Sequence, residues 1–207
     1  MGVRIKTVKS VNEVKAVHGF IAEQLKISIR AGEYENFPLV EAYGDMMDAV
    51  EKQSPLQIKA ESSGVLIGHA LAVIDEETKS AWLRTILVKH FFQKKGIAQK
   101  LLKTIEKTVK SLGFDTLKAV EREGANGFYI RAGFIPYLYV TCKDPQDIES
   151  VKELNNGRLK ILEENQTSKG YVIKFDVEEE AVYSDKKIFN KLGKGISALF
   201  VYEKKLK

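Results

Sequence analysis

The chain has 207 residues, of which 44% are hydrophobic and 29% charged, and its formal net charge is +5. This length allows a sizeable core, and the absence of any membrane-length apolar run or apolar signal segment predicts a soluble cytoplasmic protein without a membrane partner. Its single cysteine, Cys142, excludes an internal disulfide and a thiolate-rich zinc site, and no metal is expected.

The positive charge is concentrated in residues 1–143, which hold 21 basic and 16 acidic residues. Residues 144–207 are balanced, with 12 of each. A basic surface of this kind suits a polyanionic ligand, and both nucleic acid and a phosphorylated cofactor fit that description. A solvated helix face is the alternative interpretation.

The beginning of the chain predicts one strand and two helices. The strand covers Val3–Val8, and Ser10 with Glu13 forms a capping-box pattern that begins the first helix. The apolar positions of that helix recur at helical spacing: Val14, Val17, Ile21 and Leu25. The second helix is predicted over Leu39–Lys52.

A loop is predicted between these helices, over Ser28–Pro38. It carries Glu33, Tyr34 and Phe37, whose side chains are suited to contact a cationic or aromatic group of a substrate. An exposed loop without a binding role explains the same residues equally well.

Three strands follow closely, over Leu56–Ser62, Val65–Asp75 and Ser80–Lys89. Their short polar connections predict an antiparallel meander. Helix and strand then alternate: a helix from Gly96 to Gly113, a strand over Asp115–Val120, a short helix within Glu121–Phe134, and a strand over Ile135–Thr141.

A strand, a basic turn and a helix meet at Gly96. In this layout, backbone N–H groups and the positive end of the helix form an anion site. Gly96 leaves room for phosphates to approach the backbone, and Ala98 keeps the first helical turn thin. Gln93, Lys94 and Lys95 can add donors or charge. The alternative is an ordinary strand-to-helix turn that uses glycine.

Two motifs in this region resemble signatures of the GCN5-related N-acetyltransferase (GNAT) family. The stretch QKKGIA, residues 93–98, resembles the acyl-CoA signature Q/R-x-x-G-x-G/A. Three residue pairs resemble the second signature of the family: Gly124-Ala125, Phe128-Tyr129 and Gly133-Phe134. The resemblance covers about residues 1–141. It implies an α+β fold, the α/β sandwich of acyl-CoA N-acyltransferases, with a mixed, mostly antiparallel sheet flanked by helices.

The resemblance also implies an activity and a set of site residues. The activity is direct transfer of an acetyl group from acetyl-CoA to a small-molecule or peptide amine in a ternary complex. Tyr129 matches the family tyrosine that acts as general acid toward the departing thiolate; a buried structural tyrosine is the alternative. The implied coenzyme-binding residues are Ile86, Leu87 and Val88 for the pantetheine arm, and Gln93, Lys94, Lys95, Gly96, Ile97 and Ala98 for the pyrophosphate.

The general base is less well defined, because the chain departs from the family pattern. Relatives often carry a glutamate on the fourth strand, where this chain has Arg84 and Thr85. Glu121 is a candidate substitute, and Glu123 and His69 are further alternatives. A water chain or an acceptor that arrives neutral would need no dedicated base.

A second departure concerns coenzyme binding. Many relatives have an asparagine where this chain has Arg122. Arg122 could contact a phosphate or face solvent, and Asn126 is a candidate to replace the missing amide. Both are therefore predicted coenzyme-binding positions.

Residues 144–207 are predicted to form a small α+β C-terminal domain, after a GNAT domain of residues 1–143. Asp144-Pro145 begins a helix that ends at Asn155-Asn156-Gly157. Three strands and one helix follow: strands over Arg158–Glu164, Tyr171–Val177 and Gly195–Lys205, and a helix from Ser184 or Asp185 to Leu192. About sixty residues are few for independent stability, so this domain is expected to pack on the first domain or on a second subunit of a homodimer.

Two other functions stay open at this point. The isoelectric point of about 9.0 and the GANG sequence at residues 124–127 would fit a nucleic-acid-binding protein. A GxxG clamp joins two helices, however, whereas this one follows a strand, and nucleic acid is not the expected partner. The other alternative is a catalytically silent acyl-CoA-binding sensor.

Overall fold

The computed structural model describes residues 2–30, 39–120, 126–167, 170–177, 189 and 195–207, with the backbone alone at 27–30, 39–42 and 126. No helix in these ranges is long and apolar enough to cross a membrane. The chain divides into two compact units. The N-terminal unit comprises Met1–Leu117 and Lys205–Lys207, and the C-terminal unit comprises Lys118–Lys204.

The N-terminal unit is built on four strands whose spatial order follows the sequence. They are β1 (Val3–Thr7), β2 (Gln57–Ser62), β3 (Val65–Asp75) and β4 (Ser80–Val88). Each neighbouring pair is antiparallel. The predicted meander is therefore confirmed.

The register of the meander slips at two places. Between β2 and β3, Ala60 pairs with Gly68 but Glu61 pairs with Leu66. Between β3 and β4, Leu71 pairs with Thr85 but Ala72 pairs with Leu83, so Arg84 is the extra residue of a β-bulge. A bulge turns a side chain away from the regular alternation, and here it does so in the strand next to the predicted anion site.

Two helices, α1 (Val11–Arg30) and α2 (Leu39–Glu51), cover one face of this sheet. The predicted apolar stripe of α1 is buried together with Met46 of α2 and Leu71 of β3. Ser10 caps α1 as predicted, because the Glu13 N–H donates to Ser10 Oγ (3.3 Å). The Glu13 carboxylate reaches back one residue further than in a capping box and accepts from the Lys9 N–H (2.7 Å).

The predicted loop begins too early. Residues 28–30 are still helical and belong to α1. No glycine or proline lies between Leu25 and Gly32, and the polar residues in that stretch are compatible with a helix. The remaining loop positions, including Glu33, Tyr34 and Phe37, lie outside the described residues.

Helix α3 (Ile97–Ser111) packs against β2, β3 and β4. Helical spacing predicts an apolar stripe of Ile97, Leu101, Ile105, Val109 and Leu112. The first four are buried, together with Leu102, whereas Leu112 is the C-cap and is exposed. Gly68 permits the close approach of α3, since a Cβ there would lie 3.2 Å from Leu101 Cδ1. Because successive strand residues face opposite sides of a sheet, α3 lies opposite α1 and α2.

Strand β5 (Thr116–Val120) spans the division between the units. The later elements belong to the C-terminal unit: α4 (Asn126–Arg131), β6 (Ile135–Cys142), α5 (Gln146–Asn155), β7 (Ile161–Thr167), β8 (Gly170–Asp176) and β9 (Ile196–Lys205, except for Lys205 itself). Strand β6 pairs with β8 on one edge and with β9 on the other, and β7 extends the sheet from β8. All three pairs are antiparallel.

The C-terminal unit has its own core. Leu138, Phe175 and Phe200, from β6, β8 and β9, are fully buried beside Val151 of α5. The strands after residue 143 thus share a sheet with β6, which precedes it. The domain boundary between residues 143 and 144 stays a prediction, as does the helix ending at Leu192, of which the structure describes Phe189 alone.

Strand β7 starts later than predicted and also ends later. It begins at Ile161, three residues after Arg158, and continues to Thr167. The polar residues 165–167 had the appearance of a link, yet they pair with residues 170–172 of β8. Their side chains are exposed or half-buried, so polarity there reflects a solvated strand at the edge of the unit.

Candidate functional site

The connection from β4 to α3 is a tight turn of residues 89–96, referred to below as the 89–96 turn. A short 3-10 helix forms at His90–Phe92. The Phe92 N–H donates to the Lys89 carbonyl (2.7 Å), and the Gln93 N–H donates to the His90 carbonyl (3.1 Å). Two residues, Lys94 (φ 58°) and Gly96 (φ 74°), take the left-handed conformation that completes the reversal.

Gly96 is the N-cap of α3. Its left-handed conformation favours glycine, and a Cβ built there would meet nothing within 4 Å, so the space beside it is open. Among the described residues, no side chain caps this helix end. The N–H groups of the first turn therefore lack the side-chain acceptor that usually satisfies one of them, and an anion could take that place.

The polar side chains of the 89–96 turn have different surroundings. Gln93 Nε2 donates to the Val88 carbonyl (3.1 Å), which ties the turn to the end of β4. Lys95 Nζ lies 5.3 Å from the centre of the Phe92 ring. Lys94 and Lys95 are both exposed. The two lysines supply positive charge at the helix end, and Gln93 holds the turn in shape.

Helix α1 anchors the other side of the same turn. The His90 N–H donates to Gln24 Oε1 at 2.9 Å, and the Gln24 side chain is buried. Sequence patterns do not single out Gln24, since a polar residue on an amphipathic helix normally faces solvent. Its contact with the turn is visible only once the helix is placed.

The strand before the turn carries the three residues predicted to bind the pantetheine arm. Ile86, Leu87 and Val88 pair with residues 70, 69 and 68 of β3. The Lys89 N–H donates to the Ile67 carbonyl of β3 at 2.8 Å. Because N–H groups alternate along a strand, the N–H of Leu87 is directed toward β3 and the N–H of Val88 toward the opposite edge of β4.

Tyr129, the predicted general acid, lies on α4 of the C-terminal unit. It is buried, with 4% of its surface exposed. Its ring stacks on Tyr202 (centroids 5.1 Å apart) and meets the edges of Phe128 and Phe134 at 5.4 and 5.5 Å. This packing fixes the ring in one orientation. The general-acid role of Tyr129 stays a prediction.

A family model described as the acetyltransferase (GNAT) family matches residues 27–134. The chain belongs to this family. The family assignment agrees with the predicted resemblance, and the matched range includes β2 to β4, the 89–96 turn and α4.

Solved structures share the GNAT fold with this chain. One is the PaiA N-acetyltransferase from Thermoplasma acidophilum in complex with coenzyme A, at 15% identity and a TM-score of 0.54, with 86% of this chain and 100% of that chain covered. Another is an N-acetyltransferase from Staphylococcus aureus Mu50, at 17% identity and a TM-score of 0.50, with 100% of both chains covered. No curated protein sequence matches the chain. The predicted α+β fold class is confirmed.

In this GNAT chain, the positions on β3 and β4 that are candidates for the base carry no carboxylate. Arg84 Nε donates to Asp45 Oδ2 of α2 at 2.9 Å. Thr85 is buried. His69 has no exposed surface, and burial lowers the pKa of its imidazole to about 3. A histidine that resists protonation so strongly is a poor proton acceptor at neutral pH.

The remaining predicted site residues cannot be placed. Glu121, Arg122 and Glu123 lie outside the described residues, and only the backbone of Asn126 is described, at the beginning of α4. Within the described part of this GNAT chain, no three His, Cys, Asp or Glu side chains come together as a metal site. Of the predicted site residues, the structure thus brings together the 89–96 turn and the end of β4.

Proposed function

We propose that this protein is an acetyl-CoA-dependent N-acetyltransferase that acts on a small-molecule or peptide amine in the cytoplasm. The observation that carries the proposal is the N-terminus of α3, where Gly96 takes a left-handed conformation beside open space in a chain of the GNAT family. A pyrophosphate needs several N–H donors that converge on a small volume, and this helix end provides them without side chains.

In the proposed reaction, the pyrophosphate of acetyl-CoA binds at the first turn of α3, with Lys94 and Lys95 adding positive charge. The pantetheine arm lies along residues 86–88 of β4. The N–H of Val88 is the better candidate to polarise the thioester carbonyl, because the N–H of Leu87 is directed toward β3. A preorganised N–H at a developing oxyanion typically contributes about 3 kcal/mol to transition-state stabilisation.

The amine of the acceptor attacks the thioester carbon, and the carbon–sulfur bond breaks with release of the coenzyme thiolate. Tyr129 is proposed to protonate that thiolate, on the strength of its match to the family pattern at residues 128–134. The proton of the attacking amine passes to water or to Glu121. Cys142 is buried, and burial raises the pKa of its thiol, which supports direct transfer over a covalent acyl-enzyme.

Binding is tested by the thermal stability of the protein with and without acetyl-CoA. A ligand at one hundred times its dissociation constant adds about 2.7 kcal/mol to the free energy of unfolding. We expect Gly96→Glu to abolish this stabilisation, because the new carboxylate repels and crowds the phosphates. Gly113→Glu is the matched control, since Gly113 also has a left-handed φ and open space but lies at the other end of α3.

Turnover is tested by release of free thiol from acetyl-CoA with a panel of amines. Tyr129→Phe should retain the thermal shift and lose turnover. A wild-type protein that acetyl-CoA does not stabilise would refute the proposed function, as would equal losses in the two glycine variants. Binding without thiol release from any amine would instead support the acyl-CoA sensor.

A further inference from the structure

Phe91 is an exposed aromatic side chain on the 89–96 turn. It is 78% exposed, whereas the other exposed large apolar residues in the described part of the chain are between 37% and 56% exposed. Its neighbour Phe92 is half-buried and carries Lys95 over its ring. An exposed phenyl ring does not gain the free energy that burial would give. Of the two phenyl rings on the turn, Phe91 is therefore the more available to a ligand.

The backbone that carries Phe91 is held from several sides. The residues before and after it, His90 and Phe92, both donate N–H hydrogen bonds, to Gln24 Oε1 and to the Lys89 carbonyl. Gln93 adds two more, from its N–H to the His90 carbonyl and from its side chain to the Val88 carbonyl. A ligand that binds the ring therefore does not have to order the backbone of the turn.

The surroundings of Phe91 favour an anionic aromatic ligand. His90 meets the ring edge-on at a centroid distance of 5.7 Å, and Lys94 and Lys95 are exposed a few residues along the turn. Gly96, the proposed phosphate position, follows five residues after Phe91. In coenzyme A, a single ribose separates the adenine ring from the pyrophosphate, so a base close to the phosphate site can meet a ring on the same turn.

We propose that Phe91 stacks on the adenine ring of the coenzyme. The inference rests on the proposed function. It adds a residue that recognises the adenosine part of the coenzyme. An exposed aromatic face binds a nucleobase by stacking. Phe91 therefore favours acyl donors that carry adenosine over the same acyl group on phosphopantetheine alone.

The test compares two donors and four variants by isothermal titration and thermal shift. The donors are acetyl-CoA and acetyl-phosphopantetheine, which lacks the 3′-phosphoadenosine and keeps one phosphate of the pyrophosphate. Phe91→Ala should weaken acetyl-CoA binding about tenfold and leave acetyl-phosphopantetheine binding unchanged. Phe91→Leu, which keeps an apolar side chain without a ring, should lose nearly as much, and Phe91→Trp should retain full affinity. Leu112→Ala removes an exposed apolar residue at the other end of α3 and should change neither.

The outcomes separate this inference from the proposed function. If wild type binds acetyl-CoA and Phe91→Ala binds it equally well, the stacking role is wrong while the proposed function stands. The same conclusion follows if both donors lose affinity alike or if Phe91→Leu behaves as wild type. If wild type binds neither donor, the proposed function fails first, and the role of Phe91 with it. Binding of a single-stranded oligonucleotide that depends on Phe91, without coenzyme binding, would also overturn both.

Discussion

The two units of the molecule bury polar side chains in opposite ways. In the N-terminal unit, Gln57 and His69 are fully buried, and none of their side-chain polar atoms has a hydrogen-bond partner among the described residues. In the C-terminal unit, Lys174 Nζ lies 2.7 Å from Glu203 Oε2, and the Tyr139 hydroxyl donates to Glu203 Oε1. At these positions the N-terminal unit buries neutral groups without partners, whereas the C-terminal unit holds two opposite charges and a hydroxyl together.

The pKa shifts follow from this difference. Burial lowers the pKa of His69 to about 3, with no compensating partner, so the ring is neutral. Burial alone would raise the pKa of Glu203, but hydrogen bonds from Lys174 and Tyr139 and the charge of Lys118 bring it below its ordinary value. Burial and the Glu203 carboxylate together raise the pKa of Tyr139. A buried group thus stays ionised when its partners are buried with it.

Removal of the central carboxylate should have the largest effect. Glu203→Ala leaves Lys174 and Lys118 without their shared counter-charge, and we expect it to lower the free energy of unfolding by about 3 kcal/mol. The paired variant Lys174→Met/Glu203→Leu removes both charges and should recover most of that loss. Urea unfolding measures both, and a loss below about 1 kcal/mol in Glu203→Ala would show that the network contributes little.

The pH dependence of stability should report His69. Below its ordinary pKa of about 6.5, the unfolded chain takes up a proton on this histidine that the folded protein refuses until about pH 3. The free energy of unfolding therefore falls as the pH falls. Between pH 7 and pH 5, protonation of His69 in the unfolded chain lowers it by about 2 kcal/mol. In His69→Leu, the difference in the free energy of unfolding between pH 7 and pH 5 should be smaller by that amount, as measured by urea unfolding at both pH values.

Gln57→Leu is the matched control and the smallest expected effect. Gln57 pairs with Leu71, two residues along β3 from His69 and on the same face of the sheet. Its amide does not titrate. Replacing an unpartnered buried amide with an apolar side chain of similar length should leave stability unchanged or raise it by about 1 kcal/mol, without any change in pH dependence. A clear loss would mean that ordered water already satisfies the amide.

The sequence predicted local structure well where a single element carried its own signal. The bounds of β3 agree with the prediction at Val65 and Asp75, and the predicted stripe of α3 is buried except for Leu112 at its end. Both depend on short-range patterns: an uninterrupted β-rich run bounded by turns, and an apolar repeat at helical spacing. The glycine turn before α3 was predictable for the same reason, because a positive φ at a helix entry favours one residue type.

Properties that depend on distant partners could not be predicted in this way. The pairing of β6 with both β8 and β9 joins residues far apart in sequence, and no local pattern specifies that register. The hydrogen bond from Gln93 to Val88 likewise gives a structural role to a side chain that the motif associates with phosphate. The sequence also does not distinguish Phe91 from its neighbour Phe92. Which of the two rings is exposed depends on the conformation of the 89–96 turn.

The position of β6 also has a consequence for the order in which the protein is made. Its partner β8 begins about thirty residues after β6 ends, and β9 begins more than fifty residues after it. During synthesis one edge of β6 therefore emerges from the ribosome long before the strand that covers it. An uncovered strand edge can pair with other chains, so a chain whose synthesis stops before β9 leaves one edge of β6 open to such pairing.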